Sequence, residues 1–212
     1  MKVNEIFYSI QGESLYAGRP CVFIRLTGCN LRCTYCDTTY AYEEGKEHSL
    51  KDIVRRISAY GCNLVEITGG EPLLQDETGP LVSHLLAKGF EVLLETNGSR
   101  DISGVDADCI KIVDIKCPSS GEHDKNDMDN LVRVSPADQL KFVIGDRHDY
   151  EFAKSVLAIP PPRIPRDHIL FSPVHGRIPA DELASWILED RLETRLHLQL
   201  HKLIWPDMER GV

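Results

Sequence analysis

The chain has 212 residues and a formal net charge of −9, and its 42% apolar and 27% charged residues are typical of a globular protein rather than a disordered one. No basic run stands out, so the sequence indicates neither a nucleic-acid surface nor an anionic-membrane surface. The sequence opens without a long apolar stretch, which argues against a signal peptide or membrane span and favours a cytoplasmic protein.

Strand and helix signals alternate along the chain. Apolar, β-branched runs predict strands at residues 3–10, 21–27, 64–68, 90–96, 110–115, 140–144 and 168–171. Apolar stripes at helical spacing predict helices at residues 50–57, 81–88, 150–158 and 180–192. The first of these helices begins after Ser49, a good N-cap with Asp52 three residues on. Residues 196–201 alternate as in a strand. This order predicts parallel β/α packing within one domain, residues 1–212.

Three cysteines lie close together in the loop after the second predicted strand. Cys29, Cys33 and Cys36 have the spacing C-x3-C-x2-C, and cysteine thiolate is the usual ligand of iron in a cubane cluster. Three thiolates hold three irons and leave the fourth open to a reacting molecule. A structural zinc site is the alternative, but zinc usually takes four protein ligands, and His48 or Cys62 would have to complete the set.

The strand predicted at residues 64–68 ends in Thr-Gly-Gly-Glu-Pro, residues 68–72. In β/α folds the active site lies at the carboxyl ends of the strands, and paired glycines let a ligand approach the backbone closely. A simple turn from strand to helix is the alternative. Together with the cysteine triplet, this turn resembles the radical S-adenosylmethionine (SAM) superfamily, in which a reduced [4Fe–4S] cluster cleaves SAM to a 5′-deoxyadenosyl radical.

Further motifs resemble the 7-carboxy-7-deazaguanine synthase family within that superfamily. They are Q-G-E at 11–13, R-x3-C-N at 25–30, C-D-T at 36–38, E-T-N-G at 95–98 and C-P-S-S-G at 117–121. The resemblance implies an incomplete (β/α) barrel of reduced size. It also implies a carbon–nitrogen lyase of the queuosine (7-deazapurine) pathway. Such an enzyme converts 6-carboxy-5,6,7,8-tetrahydropterin to 7-carboxy-7-deazaguanine with loss of ammonia. A homodimer, magnesium dependence and a flavodoxin- or ferredoxin-like electron donor are implied as well.

The same resemblance implies roles for individual residues. Cys29, Cys33 and Cys36 would ligate the cluster, and Thr38 would ligate Mg²⁺. The implied SAM contacts are Tyr35, Cys36, Asp37, Gly70, Cys117, Pro118, Ser119, Ser172, Pro173, Val174 and His175. The implied substrate contacts are Ile10, Gln11, Gly12, Glu13, Arg25 and Thr68.

Several of these residues have a structural alternative. Arg25 could be an edge-strand arginine that faces water, although its planar guanidinium matches a substrate carboxylate. Gln11 and Glu13 could merely cap a turn, and Thr68 could be an ordinary strand hydroxyl. Thr38 could cap its own loop, which is common for threonine.

The remaining cysteines and two histidines have structural interpretations. Cys21, Cys62 and Cys109 are expected to be buried core thiols, because free cysteine behaves as a small hydrophobe. His197 and His201 fall on one face of the last predicted strand. A metal pair is one interpretation, but a face toward solvent or a dimer partner is favoured.

Two other functions stay open at this point. A glycyl-radical activating enzyme shares the cysteine spacing and the Gly-Gly-Glu-Pro turn, but it has no evident use for Q-G-E or C-D-T. A metal-bearing binding module without enzymatic activity is the second. The 7-carboxy-7-deazaguanine synthase family commonly ends near the proline that corresponds to Pro206. Here residues 207–212 follow it, which leaves any role of a terminal carboxylate open.

Overall fold

Strands and helices alternate in the computed structural model, which describes residues 1–158 and 163–212. The described strands are β1 (Lys2–Ile10), β2 (Pro20–Leu26), β3 (Lys46–Glu47), β4 (Leu64–Gly69), β5 (Glu91–Thr96), β6 (Ile110–Ile115), β7 (Gln139–Ile144), β8 (Ile169–Pro173) and β9 (Arg195–Leu196). The described helices are α1 (Leu50–Ser58), α2 (Thr78–Ala87), α3 (Asn130–Arg133), α4 (Arg147–Ala158), α5 (Ala180–Glu189) and α6 (Leu200–Ile204). None of the helices within these ranges is both long and apolar enough to cross a membrane.

The strands form one open sheet in the order β3-β1-β2-β4-β5-β6-β7-β8-β9. All neighbouring pairs from β2 to β9 are parallel, whereas β1 pairs antiparallel with both β2 and β3. The expected incomplete β/α barrel is therefore confirmed. Because the carboxyl ends of parallel strands share one edge of the sheet, the loops that follow them meet there.

The two faces of the sheet carry different residues because side chains alternate along each strand. On β2, Val22, Ile24 and Leu26 pack against the helices. Phe23, between them, joins a small apolar cluster on the other face, and Arg25 lines a cavity there. The inner face therefore changes from apolar near the start of the strand to charged near its carboxyl end.

Two helix starts can be explained from local contacts. The Ser49 hydroxyl accepts a hydrogen bond from the Asp52 amide at 3.1 Å, which confirms the predicted cap of α1. Helix α2 begins at Thr78, before the predicted start at residue 81. The Thr78 hydroxyl donates to the carbonyl of Pro72 at 2.6 Å, and Pro80 lies in the first turn, where proline is tolerated.

The predicted strand at residues 196–201 is wrong beyond Leu196. Strand β9 ends at that residue, and α6 begins at Leu200. The Leu200 amide donates to the carbonyl of Gly12 at 2.9 Å, so a distant loop determines the backbone path here. The two histidines consequently do not share a strand face toward solvent or a partner: His197 is buried, and His201 lines the cavity.

The outlying cysteines follow the sequence expectation in two of three cases. Cys21 and Cys109 are buried, whereas Cys62 is only half-buried. The Cys62 thiol donates weakly to the carbonyl of Pro20 at 3.4 Å. All three thiols lie outside the lining of the cavity.

Candidate active site

A cavity of about 550 Å³ lies at the carboxyl ends of the parallel strands. Its walls come from the loops after β1, β2, β4 and β8 and from the C-terminal residues. The predicted site residues that line it are Ile10, Gln11, Gly12, Glu13, Arg25, Cys29, Cys33, Tyr35, Cys36, Asp37, Thr38, Thr68, Gly70, Val174 and His175. One cavity thus brings together residues predicted for the cluster, the cofactor and the substrate.

Five of the predicted SAM contacts, all described by the structure, do not line this cavity: Cys117, Pro118, Ser119, Ser172 and Pro173. Cys117 is fully buried among core residues. The Ser119 hydroxyl donates to Asp149, and the Ser119 amide donates to the same carboxylate at 2.8 Å. Ser172 is buried in β8. The predicted SAM contacts of these five residues stay predictions.

The cysteine triplet forms one wall of the cavity, and all three thiols are free and half-buried. The Cys29 sulfur accepts hydrogen bonds from the amide of Leu31 at 3.4 Å and from Asn97 Nδ2 at 3.8 Å. N–H groups directed at sulfur are one means by which proteins tune iron–sulfur clusters. The donor set therefore fits a cluster with three protein ligands. Within residues 1–158 and 163–212, no three His, Cys, Asp or Glu side chains are arranged to hold a single metal ion.

Burial affects the protonation of the cysteine thiols. It raises the pKa of Cys29 above its ordinary value and raises the pKa of Cys33 to about 11. These thiols are therefore protonated at neutral pH before any metal binds. Because the ligand is the thiolate, cluster assembly must release their protons.

The Thr-Gly-Gly-Glu-Pro turn packs directly against the cysteine loop. A Cβ atom on Gly70 would lie 2.2 Å from the carbonyl oxygen of Gly28 and 2.7 Å from Cβ of Cys29, so only glycine fits here. The next residue, Glu71, is buried and accepts hydrogen bonds from the Asn97 amide at 2.7 Å and from the Thr96 hydroxyl at 2.9 Å. The turn therefore connects the end of β4 to the cysteine loop and to the end of β5.

Tyr35 presents an aromatic ring to the cavity next to the cysteines. Its hydroxyl is buried and has no hydrogen-bond partner among the described residues. The guanidinium of Arg177 lies 5.7 Å from the centre of the ring and donates to the Thr34 hydroxyl at 3.1 Å. The Thr34 hydroxyl donates in turn to the carbonyl of Ser119 at 2.8 Å. These contacts connect the cysteine loop to the segments after β6 and β8, and the unpartnered hydroxyl fits a polar ligand.

Arg25 lies on an interior strand, so the alternative of a water-facing edge arginine is wrong. It pairs with Glu5 on β1 and with Thr68 on β4, and its side chain is only 14% exposed. Its Nε donates to Glu5 Oε1 at 2.8 Å. Among the described residues no partner engages the two terminal nitrogens, which leaves one edge of the guanidinium available to an anion.

The Q-G-E loop has a turn-capping role and also faces the cavity. Gln11 Oε1 accepts a hydrogen bond from the Glu13 amide at 3.0 Å, while its Nε2 donates to the buried carboxylate of Glu66. Glu13 Oε1 accepts from Gln199 Nε2 at 2.7 Å. The nearest atom to a Cβ built on Gly12 would be Nδ1 of His201, at 2.4 Å. The C-terminal segment therefore packs tightly onto this loop.

The C-D-T motif is held by a charged residue of α6. The Thr38 hydroxyl donates to Asp37 Oδ1 at 2.9 Å, and Lys202 Nζ lies 2.7 Å from Asp37 Oδ2. Burial alone would raise the pKa of Asp37, but the Lys202 ammonium lowers it below its ordinary value. The motif thus offers a carboxylate and a hydroxyl, both oxygen donors, to the cavity.

A group of charged residues lies on the inner face of the sheet, and only Glu13 among them is a predicted site residue. Lys141 Nζ contacts the Glu13 carboxylate, lies 2.6 Å from Glu95 Oε1 and lies 3.8 Å from Asp114 Oδ2. Lys116 Nζ lies 2.8 Å from the same Asp114 oxygen. We call Glu13, Glu66, Glu95, Asp114, Lys116 and Lys141 the charged floor. The signal that could have found it is the presence of a charged residue within each of the largely apolar strands β4, β5, β6 and β7.

The charged floor has more carboxylates than ammonium groups, so the carboxylates are not equally stabilised by a neighbouring cation. Their pKa values therefore differ. Burial alone would raise the pKa of Glu13, but Lys141 holds it well below its ordinary value. Burial, with the neighbouring charges of Glu95 and Glu13, raises the pKa of Glu66 well above its ordinary value. Burial also raises the pKa of Glu95 despite its contact with Lys141. The floor therefore combines an ionised acid, Glu13, with an acid that favours its neutral form, Glu66.

Comparison with known proteins gives consistent results. A family model described as the radical SAM superfamily matches residues 23–115. The curated 7-carboxy-7-deazaguanine synthase of Koribacter versatilis is 44% identical and aligns over 100% of both chains. The enzyme of the same name from Chlorobaculum tepidum is 44% identical over 100% of this chain and 97% of its own. Among solved structures, QueE from Escherichia coli matches with a TM-score of 0.71 and 23% identity, covering 93% of this chain and 92% of that chain, which shows a shared fold.

Proposed function

The chain belongs to the 7-carboxy-7-deazaguanine synthase family of the radical SAM superfamily, and we propose that the cavity at the carboxyl ends of its strands divides into a cofactor side and a pterin side. The reaction is the conversion of 6-carboxy-5,6,7,8-tetrahydropterin to 7-carboxy-7-deazaguanine with loss of ammonia. The observation that supports the division is the position of two sets of residues within the same 550 Å³ cavity. The cysteine triplet with Tyr35 and Gly70 forms one set, and Arg25 with the charged floor forms the other.

The cofactor side is suited to a four-iron cluster and SAM. Cys29, Cys33 and Cys36 would hold the cluster, and Gly70, which lines the cavity beside them, would offer its main chain to the methionine part of SAM. When bound, the cluster and SAM supply a radical that removes hydrogen from the substrate. The protein residues position the two reactants and exclude water from the cavity.

The pterin side offers charges that match the carboxylated substrate. The free edge of the Arg25 guanidinium can hold the substrate carboxylate in a bidentate pair. Glu13 and Gln11 present acceptors to the amino and amide edge of the pterin, with Lys141 fixing the Glu13 carboxylate. Thr68 lies next to Arg25 in the sheet register and adds a hydroxyl.

Magnesium, the oligomeric state and the redox partner belong to the same proposal. Thr38 and Asp37 provide the oxygen donors that Mg²⁺ prefers, and Mg²⁺ usually keeps several waters in addition to few protein ligands. The family resemblance supports a homodimer, a flavodoxin- or ferredoxin-like donor of the single electron, and a cytoplasmic location. A single domain over residues 1–212 is supported by the continuous sheet from β1 to β9.

Anaerobic turnover tests the proposed function. Protein reconstituted with iron and sulfide should hold about four irons per chain and should convert the carboxylated tetrahydropterin to the deazaguanine acid and ammonia, measured by mass spectrometry. Cys33→Ala should lose both the cluster and SAM cleavage. Cys62→Ala is the matched control, because this thiol is also half-buried but lies outside the cavity, and it should retain both. A cluster-loaded enzyme that cleaves SAM but yields no deazaguanine would refute the assignment.

A further inference from the structure

The segment of residues 206–212 lies beside the mouth of the cavity. Met208, Glu209 and Val212 contribute to its lining, although residues 206–210 are all exposed. An exposed segment with few apolar contacts keeps its position only if specific interactions hold it. The interactions that fasten this segment therefore determine whether the cavity keeps this wall.

Tyr40 and Glu44 provide those interactions. The Tyr40 hydroxyl lies 3.2 Å from the carbonyl oxygen of Glu209. The guanidinium of Arg210 lies 4.1 Å from the centre of the Tyr40 ring, and its Nη1 lies 2.9 Å from Glu44 Oε2. Arg210 thus makes both a cation–π contact with Tyr40 and an ion pair with Glu44.

The other side of this contact is fixed to the sheet. The carbonyl of Glu44 accepts hydrogen bonds from the Thr27 hydroxyl at 2.6 Å and from Asn4 Nδ2 at 2.9 Å. Asn4 belongs to β1 and Thr27 directly follows β2, and these two long strands are paired in the sheet. Segment 206–212 is consequently the part that can move, and the loop around Tyr40 is its anchor.

Tyr40 also contacts the substrate side of the cavity. Its hydroxyl donates its one proton to Glu5 Oε1 at 3.1 Å, because a carboxylate is a stronger acceptor than a carbonyl. The same Glu5 oxygen accepts from Arg25 Nε at 2.8 Å. The Arg25 guanidinium lies 5.9 Å from the Tyr40 ring centre. Tyr40 therefore stands between two guanidinium groups, with Arg25 on the inner side and Arg210 on the outer side.

We propose that Tyr40 is a positioning residue that couples Arg25 to segment 206–212, and that this segment forms a wall of the pterin subsite. The coupling rests on the proposed function, since it requires a carboxylated pterin at Arg25. The Tyr40 hydroxyl orients Glu5, Glu5 orients the Arg25 guanidinium, and the Tyr40 ring holds the wall in place through its contact with Arg210. Loss of the hydroxyl weakens recognition of the substrate carboxylate, whereas loss of Arg210 opens the wall.

Binding of two ligands to Tyr40→Phe tests the inner half of the coupling. The variant keeps the ring and removes one hydroxyl, so the fold is retained. We expect about five-fold weaker binding of 6-carboxytetrahydropterin, the effect of a weakened charge-assisted hydrogen bond. A tetrahydropterin without the carboxylate should bind variant and wild type equally. Equal weakening for both ligands, or for neither, overturns the coupling.

Variants of Arg210 test the outer half. Arg210→Ala loses the ion pair and the stacking, and we expect an approximately five-fold higher KM for the pterin. More 5′-deoxyadenosine should also form per product, because the subsite is less enclosed, with the KM for SAM unchanged. Arg210→Lys keeps the charge and should recover part of the loss. Arg55→Ala is the control, since it removes a similarly exposed ion pair on α1, 3.0 Å from Asp52.

The outcomes separate this proposal from the proposed reaction. If wild-type enzyme binds the carboxylated pterin but forms no deazaguanine, the reaction is refuted and the binding comparison still decides the role of Tyr40. If wild-type enzyme forms product while Arg210→Ala and Tyr40→Phe behave like Arg55→Ala, the coupling is refuted and the reaction stands.

Discussion

Replacing Lys141 by methionine should reveal how strongly the charged floor depends on one ammonium group. The Lys141 side chain is only 5% exposed, and it contacts Glu13 and Glu95 with Asp114 next nearest. Methionine has a similar length and no charge, so the change leaves two carboxylates without their cation. Removing one partner of a buried ion pair costs about 3–5 kcal/mol. In a chain of this size the melting temperature should therefore fall by roughly 10 °C.

The matched control is Lys111→Met. Lys111 is equally buried and lies on the neighbouring strand β6, with its Nζ 3.2 Å from Asp138 Oδ1. It lies near the start of that strand and outside the cavity lining. We expect a comparable loss of thermal stability with unchanged pterin affinity. Lys141→Met should lose both thermal stability and pterin affinity, because Glu13 is then no longer held in position for the substrate.

The pH dependence of the Lys141→Met defect follows from the pKa directions. A lowered pKa of Glu13 gives stability that is present above the ordinary value of 4.5 and is lost as the pH falls through the folded-state pKa. The stability gap between wild type and variant should thus be full at neutral pH and shrink below about pH 4.5. Thermal unfolding and pterin titration of cluster-loaded protein measure the two effects. A Lys141→Met variant with wild-type pterin affinity would refute the role of the floor in binding.

Three further substitutions have defined outcomes. Arg25→Lys keeps the charge but loses the planar fork, so pterin affinity should fall while uncoupled SAM cleavage survives; unchanged affinity would leave Arg25 with a structural role only. Thr38→Ala should lose magnesium stimulation of product formation and keep its cluster, whereas Thr38→Ser should respond to magnesium; full stimulation in the alanine variant would exclude the hydroxyl as a ligand. Glu66→Gln imitates the neutral acid. Because the folded-state pKa of Glu66 is raised, this variant should become more stable than wild type as pH rises above 4.5, by up to about 1.4 kcal/mol per pH unit, and a constant difference in urea unfolding from pH 4 to 8 would contradict this.

All six residues predicted to contact the substrate line the cavity, whereas five of the eleven residues predicted to contact SAM do not. The cysteine spacing and the glycine pair are short motifs of neighbouring residues, so they can be recognised without knowledge of the strand order. Gly70 illustrates this, because its lack of a side chain is needed for contact with the same cysteine loop that the motif identifies. Cys117 and Ser119 lie outside the cavity lining, and a motif does not specify which way each side chain points.

The charged floor shows what strand prediction omits. Glu66, Glu95, Asp114 and Lys141 each lie in a run that predicts an apolar strand, and none of them is a predicted site residue. In a parallel sheet covered by helices, a charge within a strand has no access to solvent on the helix side. These four charges line the cavity on the inner face, whereas Lys111, on the helix side of β6, is paired with Asp138. Their partners could not be assigned without the strand order, because the partners are far apart in the sequence: Glu13 and Lys141 are separated by 128 residues.

Residues 196–201 show why the C-terminal part of the cavity lining could not be predicted from the local sequence. Alternation of leucine with polar residues predicts a strand when the backbone is free to follow its own preference. Here the Leu200 amide bonds to the carbonyl of Gly12, and Gln199 bonds to Glu13, so the backbone follows the Q-G-E loop instead. Gln199 and His201, two polar residues of the pattern, consequently line the cavity. Because α6 and segment 206–212 are shaped by contacts with the pterin side, changes there should alter substrate recognition while the cluster chemistry on the opposite wall continues.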